Sequence, residues 1–305
     1  MVKILFFILV LFQVGHAALI PSTDGLDAIY GIDERRFVDK KSSPKINELS
    51  KSIALIISKD VVEKKILFTQ INAKLLSDID GINLCRNEKF ANHHTVNSCT
   101  GFLIGEDLLV SAGHCFTNAS DCDSKLIAFN VQTINESKSG YTVLNQNIYE
   151  CSEIVSSAFD ADGTQDYAVI RLKKKVIGVK PLKLRRAGTI TIDDQVFMIG
   201  HPMGLPLMVT SSAQINDISN PHFFKATIDS FEGNSGSPVF NNHTFEVEGI
   251  LVRGEEDFLQ DQARQCYLYQ VYDPGTKESP TIKGEGVSRI RDILPFVVRN
   301  TLNDK

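Results

Sequence analysis

Short runs of β-branched and aromatic residues, separated by turn residues, dominate this chain. Each run has about the length of one strand, and helical periodicity is almost absent among them. This pattern favours an all-β sandwich or barrel over alternating βαβ units. The predicted strands form two series, the first at 52–57, 100–104, 108–111, 126–131, 141–148 and 167–172, and the second at 195–199, 207–215, 223–228, 238–240, 245–252 and 267–272.

The end of the chain has a different pattern. From Val287 onwards, apolar residues recur at intervals of three and four, with charged residues between them. This spacing predicts a C-terminal helix over 287–303, kinked by Pro295, with its apolar face packed on the β-structure.

Composition limits the possible partners. The chain has 305 residues, of which 43% are hydrophobic and 23% are charged, enough for one large domain or two small ones. The formal net charge of −5 and the lack of a long Lys/Arg block leave no basic surface for nucleic acid or an anionic membrane. We expect neither partner.

The first 17 residues have the features of a secretory signal peptide. Lys3 precedes an apolar run at 4–14, and small residues follow at 15 and 17. The run is well short of the ~20 residues that a membrane-spanning helix needs. We therefore expect a secreted or periplasmic protein, in which the polar stretch 18–49 is a pro-segment or an N-terminal arm.

Export determines how the cysteines are interpreted, because thiols pair in an oxidising compartment. The six residues Cys85, Cys99, Cys115, Cys122, Cys151 and Cys266 permit three bridges, and the sequence alone leaves the pairing open. No CxxC pattern suggests zinc, and Asp160 and Asp162 resemble a solvated loop more than a calcium site. We expect neither a metal nor a cofactor.

The sequence Gly-Asn-Ser-Gly-Ser-Pro at 233–238 is suited to present Ser235 as a nucleophile. Glycine on either side lets the backbone approach a substrate and turn N–H groups towards a developing oxyanion. A serine hydroxyl also needs a base to accept its proton and an acid to orient that base.

Candidates for both groups lie upstream. His114 follows an apolar strand in the sequence Ser-Ala-Gly-His-Cys, where small neighbours leave the ring accessible. Asp166 precedes the apolar run 167–172, where it could orient the imidazole. The remaining histidines with no supporting context are interpreted as loop or core residues: His93, His94, His201, His222 and His243.

The order His114, Asp166, Ser235 discriminates between hydrolase folds. An α/β-hydrolase has the order Ser, acid, His and needs glycine at the position that Ser237 occupies here, and subtilisins begin with the Asp. His, Asp, Ser is the chymotrypsin order.

Four segments together resemble chymotrypsin-fold (trypsin-like) serine peptidases: Cys-Thr-Gly-Phe-Leu-Ile-Gly at 99–105, Ser-Ala-Gly-His-Cys at 111–115, Asp-Tyr-Ala-Val-Ile-Arg-Leu at 166–172 and Gly-Asn-Ser-Gly-Ser-Pro at 233–238. They are most similar to the bacterial glutamyl-endopeptidase (V8-like) branch. The resemblance spans about residues 50–300, and the stretch 29–35 resembles the beginning of mature enzymes in that branch.

The resemblance implies two six-stranded antiparallel Greek-key β-barrels, about 50–178 and about 179–286, with a C-terminal α-helix. His114 and Asp166 would come from the first barrel and Ser235 from the second. Ser235 would attack the scissile carbonyl, His114 would act as base and then acid, and the backbone N–H groups of Gly233 and Ser235 would bind the oxyanion. The resemblance also implies a Cys99–Cys115 bridge across one hairpin. We pair Cys122 with Cys151, which leaves Cys85 with Cys266.

Two departures from the relatives concern activation and specificity. Asn234 stands where animal chymotrypsin-like enzymes have the Asp that receives a new N-terminus, and Leu251 stands where glutamyl-specific enzymes have a pocket His. Asp229 and Ser230, or alternatively Arg253, are then the candidates for substrate binding, with Asp229 favouring Arg or Lys and Arg253 favouring an acidic residue.

The sequence therefore predicts a monomeric secreted serine endopeptidase that acts on proteins or peptides through an acyl-enzyme. The alternative is a catalytically silent secreted binding or toxin-like protein that retains the fold.

Overall fold

The computed structural model describes residues 28–79, 81–160, 164–272 and 284–297. The predicted signal peptide at 1–17, residues 18–27 of the predicted arm and the end of the predicted C-terminal helix lie outside these residues, as does Asp162. Two six-stranded antiparallel barrels form the structure, as the sequence predicts.

The first barrel is closed by the strands Ile53–Ser58, Ser98–Leu103, Leu108–Ser111, Lys125–Phe129, Ile148–Phe159 and Asp166–Leu172. A four-stranded sheet covers part of it and consists of Val62–Lys64, Phe68–Asn72, Glu136–Ser137 and Gly140–Leu144. Ile53–Ser58 is apolar on both faces because Ile56 lies in the barrel core and Leu55 in the cluster shared with this sheet.

The second barrel consists of Gln195–Gly200, Ala213–Asp217, Phe223–Ala226, Pro238–Asn241, Val247–Arg253 and Glu285–Arg289. It closes because Gln195–Gly200 pairs with both Ala213–Asp217 and Pro238–Asn241. Its inward side chains form a separate core, which includes Val196, Met198, Ile215, Phe224, Val239, Leu251 and Val287.

The prediction of a helix beginning at Val287 is wrong, because Glu285–Arg289 is the strand that completes the second barrel. Val287 pairs with Phe224 on one side and Leu251 on the other, and these long-range contacts outweigh the local helical periodicity. The chain turns into a 3₁₀-helix only at Ile290–Ile293, and residues 294–297 are helical.

Three predicted strands are divided in the structure. The run 267–272 contains most of Cys266–Tyr269 and all of Val271–Tyr272, which both lie outside the second barrel. The run 141–148 contains the end of Gly140–Leu144 and the beginning of Ile148–Phe159, and 207–215 contains Met208–Val209 and the first part of Ala213–Asp217. Most of Ile148–Phe159 escapes prediction because its outer positions are polar and two irregularities interrupt its pairing with Asp166–Leu172.

The N-terminal arm packs on the barrels over its described part. Ile29–Tyr30 pairs in parallel with Val271–Tyr272, and Arg36–Phe37 pairs with Met208–Val209. The helix Pro44–Ser50 follows, with the Ser43 hydroxyl accepting the Ile46 N–H at 3.2 Å as an N-cap.

The remaining elements are short. Lys74–Leu75 pairs with His94–Thr95, Phe258–Asp261 pairs with Cys266–Tyr269, and a second α-helix spans Ala119–Ser124. The other 3₁₀-helices among the described residues are Lys59–Val61, Leu76–Asp78, Gly113–Cys115, Thr133–Asn135, Asn145–Asn147 and Pro202–Gly204.

The three disulfides join Cys99 to Cys115, Cys122 to Cys151 and Cys85 to Cys266, which confirms the pairing expected above. Cys85–Cys266 connects two segments that are 181 residues apart in sequence. Within the described parts of the chain, no helix has the length and apolar character needed to cross a membrane.

Candidate active site

Strand pairing brings His114 and Asp166 together. His114 lies in the 3₁₀-turn that follows Leu108–Ser111, and Asp166 begins the strand that pairs with Leu108–Ser111. The distance from His114 Nδ1 to Asp166 Oδ2 is 2.9 Å, and Asp166 is buried. A carboxylate at this nitrogen selects the tautomer with its proton on Nδ1 and leaves Nε2 as the proton acceptor.

The other oxygen of Asp166 is held by the backbone. Asp166 Oδ1 accepts the N–H groups of Gly113 at 2.6 Å and His114 at 3.1 Å. A side chain at Gly113 would place its Cβ 1.9 Å from the Ala158 carbonyl oxygen, so only glycine fits this turn. The carboxylate therefore has three donors and one orientation.

Ser235 lies between glycines in the turn that precedes Pro238–Asn241. Gly233 and Gly236 have φ angles of +90° and +92°, a region that favours glycine. A Cβ at Gly236 would lie 2.1 Å from the Thr100 carbonyl oxygen. We call residues 229–237 the serine loop.

The first barrel contacts the serine loop directly. The Thr100 N–H donates to the Ser235 carbonyl at 2.8 Å, and the Thr100 hydroxyl donates to the Gly233 carbonyl at 2.9 Å. The Cys115 sulfur is 4.0 Å from the Ser235 carbonyl oxygen and within 4.8 Å of a His114 ring nitrogen. Ser235 and His114 therefore lie beside the same disulfide.

Cys99, His114 and Cys115 form a cluster of the kind that can bind a metal ion, with their ligand atoms within 4.8 Å of one another. Both sulfurs are bonded to each other in a disulfide. They cannot act as thiolate ligands, so this cluster does not fit a metal site.

The backbone of the serine loop offers two unpaired donors. The N–H groups of Asn234 and Gly236 donate to the carbonyls of Phe231 at 3.1 Å and Leu251 at 2.7 Å. Within the described residues, the N–H groups of Gly233 and Ser235 have no acceptor. Two such donors beside a serine are the arrangement that stabilises an oxyanion.

Met203 fixes the direction of one of these donors. The Met203 N–H donates to the Glu232 carbonyl, and Met203 itself has a φ angle of +51°. Because a trans peptide directs its N–H opposite to its C=O, the Gly233 N–H points away from Met203. The sequence contains no local signal that reveals this role of Met203, or that of Thr100.

Residues 99–250 match the family model described as the trypsin-like peptidase domain. The chain belongs to the trypsin-like peptidase family. The matched part, about half of the chain, contains His114, Asp166 and Ser235.

Solved structures share the fold of this family member. It is similar to a Glu endopeptidase in complex with MPD, with a TM-score of 0.51 and 16% sequence identity over 90% of this chain and 99% of that chain. It is also similar to the scabies mite inactivated protease paralogue S-I1, with a TM-score of 0.51 and 12% identity over 85% of this chain and 98% of that chain. A comparison with curated protein sequences gave no match.

Asp229 and Ser230, the first two candidates for substrate binding, both have hydrogen-bond partners within the peptidase domain and its N-terminal arm. Asp229 is buried, its Oδ1 accepts the Tyr30 N–H at 2.8 Å, and its Oδ2 accepts the Glu34 N–H at 3.2 Å. Burial raises the pKa of Asp229 to about 6. Ser230 is fully buried, and its hydroxyl accepts a hydrogen bond from the Asn234 side chain at 3.0 Å.

Arg253, the other specificity candidate, ends the strand Val247–Arg253 and is partly exposed. Its guanidinium carbon lies 5.8 Å from the centre of the Phe223 ring, which is within the range of a cation–π contact. Its charge is therefore at the surface of the second barrel.

Of the five histidines interpreted as loop or core residues, His93, His94, His201 and His222 have polar partners, and His243 is exposed. His201 is fully buried, its Nδ1 lies 2.9 Å from the Leu205 carbonyl oxygen, and burial lowers its pKa to about 4. His93 Nδ1 lies 2.8 Å from Glu136 Oε2, and His222 Nδ1 lies 3.0 Å from Asp292 Oδ2.

A cavity of about 510 Å³ borders the serine loop at Glu232 and Gly233. It extends along the first barrel, and its apolar lining consists of Ala73, Val61, Val96, Ile79, Ile82 and Met203. The cavity therefore lies beside Gly233, and its lining is suited to apolar groups.

Proposed function

We propose that this protein is a secreted serine endopeptidase that hydrolyses peptide bonds through Ser235, His114 and Asp166. The observation that carries the proposal is the 2.9 Å contact between His114 Nδ1 and the buried Asp166, beside a serine loop with two unpaired N–H groups. The family match supports peptide hydrolysis as the reaction class.

In this mechanism, His114 Nε2 takes the proton from the Ser235 hydroxyl as Oγ bonds to the scissile carbonyl carbon. The carbonyl electron pair moves to oxygen, and the N–H groups of Gly233 and Ser235 stabilise that oxyanion. His114 then gives its proton to the leaving amine, the C–N bond breaks and an acyl-enzyme remains. Water, deprotonated by His114, releases the acid and restores Ser235.

The location of the cavity suggests where the substrate lies. Leu251, in the strand that resembles the primary pocket strand, bonds to one side of the serine loop, since its carbonyl accepts the Gly236 N–H. The cavity lies at Glu232 and Gly233 and is formed largely by the first barrel. We place the residue before the scissile bond near Val247–Arg253, and the residues after it in the cavity.

The buried state of Asp229 leaves Arg253 as the charged candidate for the primary specificity, which would favour an acidic residue. A peptide library with Arg, Lys, Glu and Phe before the scissile bond tests this. Preferential cleavage after Arg or Lys would contradict it.

The predicted signal peptide and three disulfides support secretion, because such bonds persist in oxidising compartments. Sequencing the N-terminus of protein recovered from the culture medium would test it. Retention of the first 17 residues would contradict it.

The decisive experiment is labelling with a fluorophosphonate, which reacts only with an activated serine. The processed protein should label, and Ser235→Ala should abolish labelling and lower kcat by about 10⁶. Ser212→Ala is a control outside the serine loop that should still label, because the Ser212 hydroxyl is exposed and donates to Gln195 at 3.1 Å. If the processed protein does not label, the chain belongs to the alternative class of catalytically silent binding proteins.

A further inference from the structure

We propose that the first described part of the N-terminal arm, residues 28–35, holds the serine loop in its reactive conformation, and we call this part the arm below. Asp229 and Ser230 are the positioning residues through which it does so. The proposal rests on the proposed peptidase function, because it concerns the same serine. It gives the arm a role in activity and removes Asp229 from the specificity pocket.

The arm and the first two residues of the serine loop are joined by three hydrogen bonds. The N–H groups of Tyr30 and Glu34 donate to the two oxygens of Asp229 at 2.8 and 3.2 Å. In the other direction, the Ser230 N–H donates to the Ala28 carbonyl at 2.9 Å. Since Asp229 accepts from two points of the arm, it fixes the path of the arm between them.

Arg35 adds a fourth attachment one residue further along the loop. Its guanidinium carbon lies 3.8 Å from the centre of the Phe231 ring, and Nε and Nη2 each donate to Asp33 at 2.9 Å. Arg35 is 3% exposed. Asp33 belongs to the arm as well, so the ion pair moves with the arm, and the contact with Phe231 is the one that displacement of the arm would break.

The link continues from Ser230 to the residue before the nucleophile. The Asn234 side-chain amide donates to the Ser230 hydroxyl at 3.0 Å, and Asn234 is 1% exposed. Gly233 and Ser235, on either side of Asn234, carry the unpaired N–H groups. A shift of Ser230 would therefore release Asn234 and reorient the two donors on which the oxyanion depends.

The test combines hydrogen–deuterium exchange with labelling kinetics on the protein from which only the predicted signal peptide, residues 1–17, has been removed. Asp229→Ala should raise exchange in residues 28–36 and 231–237, lower the fluorophosphonate labelling rate at least about tenfold, and leave the ranking of residues before the scissile bond unchanged. Ser230→Ala removes only the oxygen that binds Asn234. It should raise exchange in 231–237 and leave 28–36 unchanged.

Glu248→Gln is the matched control, because Glu248 is also a buried acid but pairs with Arg185 at 2.7 Å instead of the arm. It should leave exchange in both segments and the labelling rate unchanged. Unchanged exchange in 231–237 for Asp229→Ala would overturn the proposal. The proposal would also be overturned if Asp229→Ala changed the ranking of residues before the scissile bond and left exchange unchanged. That result would indicate that Asp229 contacts the substrate.

These measurements separate the two proposals. Hydrogen–deuterium exchange is measured without substrate, so it tests the contact between the arm and the serine loop independently of catalysis. A wild-type protein that does not label would refute only the peptidase function. If Asp229→Ala fails to fold, Asp229→Asn decides the question, since its single side-chain oxygen leaves one of the Tyr30 and Glu34 N–H groups facing an NH₂ donor. It should raise exchange in 28–36 and 231–237, and unchanged exchange in 231–237 would overturn the proposal.

Discussion

Replacing Asp166 with Asn tests the proposed mechanism most directly, because the substitution preserves shape and changes only the pattern of donors and acceptors. Asp166 Oδ1 accepts two backbone N–H groups, from Gly113 and His114. An Asn side chain has one oxygen, and those two donors will hold it at that position. Its NH₂ group must then face His114 Nδ1, where Asp166 Oδ2 now lies at 2.9 Å.

An NH₂ group in that position can only donate, so His114 Nδ1 becomes the acceptor and the ring proton moves to Nε2. The nitrogen that should take the Ser235 proton is then already protonated. The substitution also removes the charge that stabilises the imidazolium. We expect kcat to fall by about 10⁴, equivalent to about 5.5 kcal/mol of barrier, with KM nearly unchanged.

The assay compares kcat and KM on a peptide substrate, together with the fluorophosphonate labelling rate, for the wild type and Asp166→Asn. Asp160→Asn is a matched control in the loop just before the strand, where the Thr164 hydroxyl donates to Asp160 at 2.9 Å, and it should keep full activity. A loss of less than about tenfold in Asp166→Asn would refute the role assigned to this residue. A loss confined to KM would refute the tautomer argument.

Three further predictions concern the loop, the core and the cavity. Gly236→Ala should destabilise the fold by at least about 2 kcal/mol in urea unfolding and slow labelling, because φ is +92° and the new Cβ would lie 2.1 Å from the Thr100 oxygen; wild-type stability would contradict this. The pKa of His201 is about 4 in the folded state and about 6.5 in the unfolded state, so only the unfolded state binds a proton there between these pH values. The free energy of unfolding should therefore fall by roughly 3 kcal/mol as the pH is lowered from 6.5 to 4. His201→Asn should show a smaller loss over that range, and an equal loss would count against it. Ile79→Asp should lower kcat/KM about tenfold for peptides with Leu or Phe after the scissile bond and leave peptides with Ala there unchanged, since it places a charge in the apolar cavity lining; an equal effect on both would rule out this use of the cavity.

The structural features that could be predicted are those set by residues close together in the sequence. The strand Asp166–Leu172 is apolar on both faces and follows an acid, so both the strand and the position of Asp166 could be predicted. The strand Glu285–Arg289 could not, because the same apolar spacing fits a helix and only its pairing with Phe223–Ala226 and Val247–Arg253 decides the outcome. The contact between Asp229 and the arm escaped prediction for the same reason, since its partner Tyr30 is 199 residues away.

Both halves of the candidate site are positioned by one strand, Ser98–Leu103. Cys99 of this strand is bonded to Cys115, which adjoins His114, while the next residue, Thr100, binds the carbonyls of Gly233 and Ser235. Relative movement of the two barrels would otherwise separate base and nucleophile, and a displacement of about 1 Å can lower a rate by about 10². The histidine turn and the serine loop are thus held by adjacent residues of a single strand. The distance between the turn and the loop therefore depends mainly on this short stretch of backbone and little on the packing between the barrels. The arm then has a different task, since it acts on the opposite end of the serine loop, at Asp229, where the first barrel has no hydrogen bond among the described residues.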